Sequence, residues 1–154
     1  MGEDFRSFLR EMEETKEGGF IRIPKEVDTR YEVSAIVTKL ERARQIPLLF
    51  FERIKGHTMP VVVNCYADRG RVARGCGVSK GELNQRVAQA YQKPIPPVEV
   101  SHAPVQEVVW QGDKVDIRML PAMIYHNVDA APYITAGIVL AKDPDTGDYN
   151  LSYN

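Results

Sequence analysis

Pro94, Pro96, Pro97 and Pro104 fall within twelve residues of one another, and this run constrains the fold more than any other feature of the chain. Each proline fixes φ and removes a backbone donor, so residues 93–104 can be neither helix interior nor central strand. The segment reads as a linker or an edge-hugging crossover. It divides a first part that alternates helix with strand from a second part that reads as β.

In the first part, Phe5, Phe8, Leu9 and Met12 stand at helical spacing, and Gly18-Gly19 stops the pattern. Residues 20–23 form a short strand ended by Pro24. Asp28 or Thr29 can cap a second helix striped by Val33, Ile36, Val37 and Leu40, which Pro47 prevents from continuing. Residues 48–51 and 60–64 read as strands. Ser79 and Glu82 make an S-x-x-E capping box before Leu83, Val87 and Ala90. Such alternation predicts helices layered on a sheet. Beyond the prolines, residues 105–110, 115–120 and 133–141 read as strands. Asp143-Pro144-Asp145-Thr146-Gly147 is a reverse turn, and residues 148–154 return as the second arm of a hairpin. A meander of this kind leaves an edge exposed, so further polypeptide, in this chain or another, is expected to complete the sheet.

Twenty basic and 21 acidic side chains leave a formal charge of −1, which gives no footprint for nucleic acid. The longest apolar run, around residues 46–51, is too short to span a bilayer, and the N-terminus does not resemble a secretory signal. Cys65 and Cys76 lie too far apart for a CxxC pair, which fits two thiols in a reducing cytoplasm. His126, in the polar loop 124–129, could be a catalytic or phosphate-contacting histidine, but with no partner in view it reads first as a surface or structural side chain, and His57 and His102 more so. Asp143, Asp145 and Asp148 lack the spacing of a calcium loop. The glycines between Arg69 and Gly77 match neither phosphate-loop spacing and read as punctuation in a helix.

On a period of two, Asn150, Ser152 and Asn154 share one face of the last strand, while Leu151 and Tyr153 share the other. Short amides and a hydroxyl make poor core but can hold a phosphate oxygen or a hard cation. A structural strand is the alternative.

The run Asp129-Ala130-Ala131-Pro132-Tyr133-Ile134-Thr135-Ala136-Gly137-Ile138-Val139, then Lys142 to Gly147, then Asn150-Leu151-Ser152-Tyr153-Asn154, resembles the UbiD family of decarboxylases. That family shows a G-P-Y-I-T strand, a D-P-x-T-G hairpin and an N-x-x-x-x-R segment. Looser collinear likeness extends through Phe5 to Leu9, Ile21 to Val27, Lys55 to Val62, and Gly112 to Pro121. The resemblance implies an α+β chain with three parts: an N-terminal α/β layered domain (1–92), a proline-rich linker (93–104), and the first strands of a split β-barrel flavin-binding domain, incomplete here (105–154).

It also implies prenylated FMN, its phosphate held through a divalent metal (Mn2+ or Mg2+) with K+ nearby. Asn150 corresponds to a metal ligand, and Ser152, Tyr153 and Asn154 to cofactor contacts. The catalytic groups, including the segment's arginine and the acidic proton donor, are expected beyond Asn154, so the 154 residues alone are expected to be inactive. The implied reaction is reversible, non-oxidative decarboxylation of an aromatic or α,β-unsaturated carboxylic acid, with the cofactor as electron sink. Implied partners are the small-molecule acid, a flavin prenyltransferase that supplies the cofactor, and the remainder of the enzyme or a second subunit. The resemblance also implies a homo-oligomer when the enzyme is complete. Ala131 replaces the family's glycine before Pro132-Tyr133. Ser152 and Asn154 stand where quinone-pathway members often show Gly and Tyr, which leans away from a ubiquinone precursor. Two other classes fit the same residues: a non-catalytic flavin-binding or accessory subunit that pairs with a second chain, and a structural module.

Overall fold

A computed structural model describes residues 4–96 and 98–153. Asp4 caps α1 (Phe5–Thr15), its carboxylate accepting the Ser7 amide at 2.7 Å. Gly18 and Gly19, at φ of 69° and 80°, turn the chain into β1 (Phe20–Ile23). The helix itself ends earlier than the glycines would give, at Lys16, which takes φ 54° and donates its amide to Met12 O at 3.0 Å; the two glycines serve the turn that follows, at φ values that strain a side chain.

β1 pairs in parallel with β2 (Leu48–Phe51), and β2 pairs antiparallel with β3 (Val61–Val63), so β2 is central. Its apolar, aromatic sequence suits that place: Leu48, Leu49 and Phe51 are fully buried. Neighbouring strand residues point to opposite faces, so both faces of β2 are covered. Leu49 and Phe51 join Val33 of α2 (Glu32–Arg42), Val27, Ile54 and Val61 in one cluster, with Ile36, Val37 and Leu40 packed against it. The apolar stripe of α2 is therefore the upper layer of the core.

Helix α2 begins later than a cap at Asp28 or Thr29 would give. Thr29 O accepts the Ile124 amide at 3.1 Å and the Tyr31 amide donates to Ile124 O at 2.9 Å, so this stretch is held extended by a distant segment. Asp28 instead accepts the Arg30 amide at 2.9 Å, and Glu32 accepts the Asp28 amide at 2.7 Å. Helix α3 (Arg69–Gly75) is capped by Asp68, which accepts the Arg71 amide. Only half of the Ser79–Glu82 box forms before α4 (Leu83–Gln92). Glu82 reaches back to the Ser79 amide at 3.0 Å, but Ser79 Oγ donates to that carboxylate rather than capping an amide.

Arg71, 2% exposed, staples this unit. Its guanidinium donates to Gly18 O at 2.8 Å and Ile46 O at 2.7 Å, tying the turns that precede β1 and β2 to α3. Its Nε is buried without a partner, and burial pulls the guanidinium's pKa down. Arg74 joins Glu11 and Glu17 across the same face.

The second part departs from expectation. Residues 105–110 and 115–120 are not strands; short 3-10 turns stand at Pro104–Gln106, Gly112–Lys114 and Ile117–Met119. Alternating apolar residues need a ladder partner to become a strand, and none of the described residues pairs with these. Pro104 opens the first turn, and the Asp116 carboxylate caps the start of the third by accepting the Arg118 amide at 3.0 Å. The expected strand 133–141 shrinks to β4 (Ile138–Lys142), with Tyr133 held in an isolated bridge to Met123. β4 pairs with β5 (Tyr149–Tyr153) as the expected hairpin. Asp143 Oδ1 accepts the Asp145 and Thr146 amides, and Gly147, at φ 79°, takes the positive-φ position. The described residues thus make a mixed α+β fold and contain no closed barrel.

The second part also returns to the first. Met123 is buried in the α2–sheet cluster, Ser34 Oγ donates to Tyr125 O at 2.7 Å, and His57 Nδ1 lies 3.1 Å from Met119 O. A carbonyl only accepts, so His57 carries the proton on Nδ1 in that contact.

Candidate functional site

Asn150, Ser152 and Tyr153 lie on β5. Asn150 stands opposite Ala141 and Ser152 opposite Val139; Leu151 stands opposite Leu140 and Tyr153 opposite Ile138. Directly opposed residues share a face, so the hairpin has two unlike sides. One carries Asn150 and Ser152 beside the small or branched Ala141 and Val139. The other carries Ile138, Leu140, Leu151, Tyr149 and Tyr153, with Lys142 Nζ 5.2 Å from the Tyr149 ring centre. Asn150 and Ser152 are brought together and Tyr153 is not. Asn154 lies outside the described residues. A single ligand touching Ser152 and Tyr153 must lie along the edge or end of β5.

Asn150 offers an amide oxygen, a hard donor suited to Mn2+ or Mg2+. A near-octahedral ion needs more than that. Among the described residues there is no group of three or more His, Cys, Asp or Glu placed to hold a metal. Asn150 therefore fits as one member of a shared ligand set and not as a site in itself. A separate hollow of about 700 Å3, lined by Arg71, Arg74, Glu11, Glu17 and Lys80 among others, shares no residue with the hairpin.

Sequence reasoning missed a cluster just before β4. The Asp129 side chain is 13% exposed, and its Oδ2 accepts the amides of Tyr125 at 2.9 Å and His126 at 2.8 Å. The Tyr125 and Tyr133 rings meet at 5.0 Å, and Tyr125 Oη lies 3.3 Å from Thr135 Oγ1. Burial, Asp129 and Tyr125 together raise the Tyr133 pKa. A carboxylate three residues after His126 was the only local signal. Ser34, 91 residues from Tyr125, gave none. Cys65 and Cys76 are free, and burial pushes the Cys65 thiol up, away from a reactive thiolate. No helix among the described residues is long and apolar enough to cross a membrane.

Comparison with known proteins bears on this geometry. Residues 12–91 match the 3-octaprenyl-4-hydroxybenzoate carboxy-lyase N-terminal domain, and residues 97–154 match the Rift-related domain of the same carboxy-lyases. An evolved dimeric form of the UbiD-class enzyme HmfF from Pelotomaculum thermopropionicum, in complex with prFMN, superposes with a TM-score of 0.84 at 36% identity. The superposition covers 96% of this chain and 34% of that one. Vanillic acid decarboxylase of Sedimentibacter hydroxybenzoicus, in open form, gives 0.81 at 28% identity over 96% and 34% of the two chains. An uncharacterized protein in the cooM 5′ region of Rhodospirillum rubrum is 34% identical over 139 residues, 88% of this chain and 29% of that protein. The chain thus spans about a third of the length of these relatives.

Proposed function

The chain belongs to the UbiD carboxy-lyase family, and on that premise we propose that it forms the N-terminal part of a prenylated-FMN-dependent enzyme. The reaction is the reversible, non-oxidative decarboxylation of an aromatic or α,β-unsaturated carboxylic acid. The observation that carries this reading is the hairpin, whose register puts Asn150, exposed, and Ser152, half-buried, on one face of β5. The likeness to HmfF with prFMN bound and to vanillic acid decarboxylase supports the cofactor and the acid class.

In this reading residues 105–154 begin a split β-barrel that further polypeptide completes, and residues 1–92 and 93–104 are the α/β domain and its linker. Asn150 contributes one oxygen to the Mn2+ or Mg2+ that neutralises the cofactor phosphate, with K+ nearby. Ser152, Tyr153 and Asn154 contact the cofactor from the edge and end of β5. Bound prenylated FMN supplies the electrophile and electron sink that such acids lack. The chain's own residues position: they fix β5, present oxygen donors and hold the segment before β4. The proton donor and remaining metal ligands belong to the rest of the enzyme, which works in a reducing cytoplasm as a homo-oligomer fed by a flavin prenyltransferase.

Asn150→Ala tests the assignment in the intact protein. Loss of most bound metal and flavin, with the melting temperature of the metal-free and flavin-free form unchanged, is the expected result. Unchanged retention would leave β5 a structural strand.

A further inference from the structure

Ser34 and Asp129 lie outside the candidate site, yet their contacts converge on the strand that leads to it. Asp129 Oδ2 closes the 125–129 turn by accepting two successive amides, at 2.9 and 2.8 Å. The carbonyl of the same Tyr125 accepts Ser34 Oγ at 2.7 Å, from the first turn of α2. Ser34 Oγ also lies 2.9 Å from Tyr31 O, but a hydroxyl has one proton and Tyr125 O is the nearer acceptor. Tyr125 is thus held through its amide, its carbonyl, its ring against Tyr133 and its hydroxyl against Thr135. Tyr133 in turn donates its amide to Met123 O at 3.0 Å, and Met123 is seated in the core. Few residues separate Thr135 from Ile138, and Ile138 is paired with Tyr153.

We infer that Ser34 and Asp129 are positioning residues that register the β4–β5 hairpin, and with it the cofactor-facing end of β5, against the N-terminal α/β unit. The inference rests on the proposed function for what the hairpin binds. The lock itself rests on the contacts. With both contacts in place the hairpin's entry is ordered before ligand arrives. Without them that ordering is charged to the binding step and affinity falls, while the core is left intact.

The test is FMN titration of the intact protein with Mn2+, followed by flavin fluorescence, beside the melting temperature of the flavin-free form. Ser34→Ala, which loses one hydrogen bond, is expected to weaken FMN binding by about fivefold, and Asp129→Ala, which loses two, by about twenty-five-fold. Ser34→Thr and Asp129→Asn keep the oxygen that makes each contact and are expected to stay within about twofold of wild type. Alanine affinities equal to wild type overturn the inference, as does weakening that the conservative variants fail to rescue. Should Asp129→Ala fail to fold, Ser34→Ala carries the test, since alanine is the best helix former and leaves the turn untouched. A wild-type protein that does not bind FMN overturns the proposed function, and the inference falls with it.

Discussion

Met123→Ala measures how firmly the second part of the chain is joined to the first. Met123 is 8% exposed and belongs to the same cluster as Val27, Val33, Leu49 and Phe51, although it lies far from all of them in sequence. Truncation removes two methylene-sized groups and a thioether methyl from contact, about 2 kcal/mol of transfer free energy. The cavity left among α2, β2 and β3 adds to that, giving a loss of about 3 kcal/mol. The effect is also local. The Tyr31, Ile124 and Tyr133 amides bond to Ile124, Thr29 and Met123 carbonyls, and all three should exchange faster in the variant. Urea denaturation gives the total and amide hydrogen exchange gives its location. A loss below about 1 kcal/mol, or a larger loss with those three amides still protected, refutes the reasoning.

Arg71→Met keeps much of the side chain's bulk but leaves the Gly18 and Ile46 carbonyls without their donor; a loss of about 2–4 kcal/mol in urea denaturation is expected. Gly147→Ala forces a side chain to φ 79° and should cost about 1 kcal/mol, read as faster exchange of the Asp143 amide that bonds to Asp148 O. The amides of Thr146 and Asp145 hold the Asp143 carboxyl below the usual carboxylate range. A depressed folded-state pKa gives stability that is present above the ordinary range and lost as pH falls through it and below. The Thr146 amide resonance should therefore shift in acid in the wild type and stay flat in Asp143→Asn, which keeps an oxygen acceptor; a titration identical in both contradicts the assignment.

How much of this was legible depended on how local its cause was. β1 and β2 fall where β-branched and aromatic residues lie between Gly19, Pro24 and Pro47, and the 143–147 turn where Pro and Gly set φ. The two-sided character of β5 follows from period two alone. Residues 105–120 misled because alternation describes half-buried strands only where a partner strand exists, and Pro104, Gly112 and Asp116 had turn chemistry available instead. The delayed start of α2 and the Ser34–Tyr125 contact were invisible because each depends on residues 124 and 125 meeting the α/β unit. Asn150 and Ser152 could be placed on one face from the sequence, whereas the lock that positions their hairpin could not.

The central claim is that this hairpin is part of a prenylated-flavin site. It is tested most directly by native mass spectrometry of the protein purified by a tag on this 17.4 kDa chain, from cells that also make a flavin prenyltransferase and are supplied with manganese. The expected spectrum shows an assembled species carrying the mass of prenylated FMN and a divalent metal. An assembled species that lacks both would contradict the account.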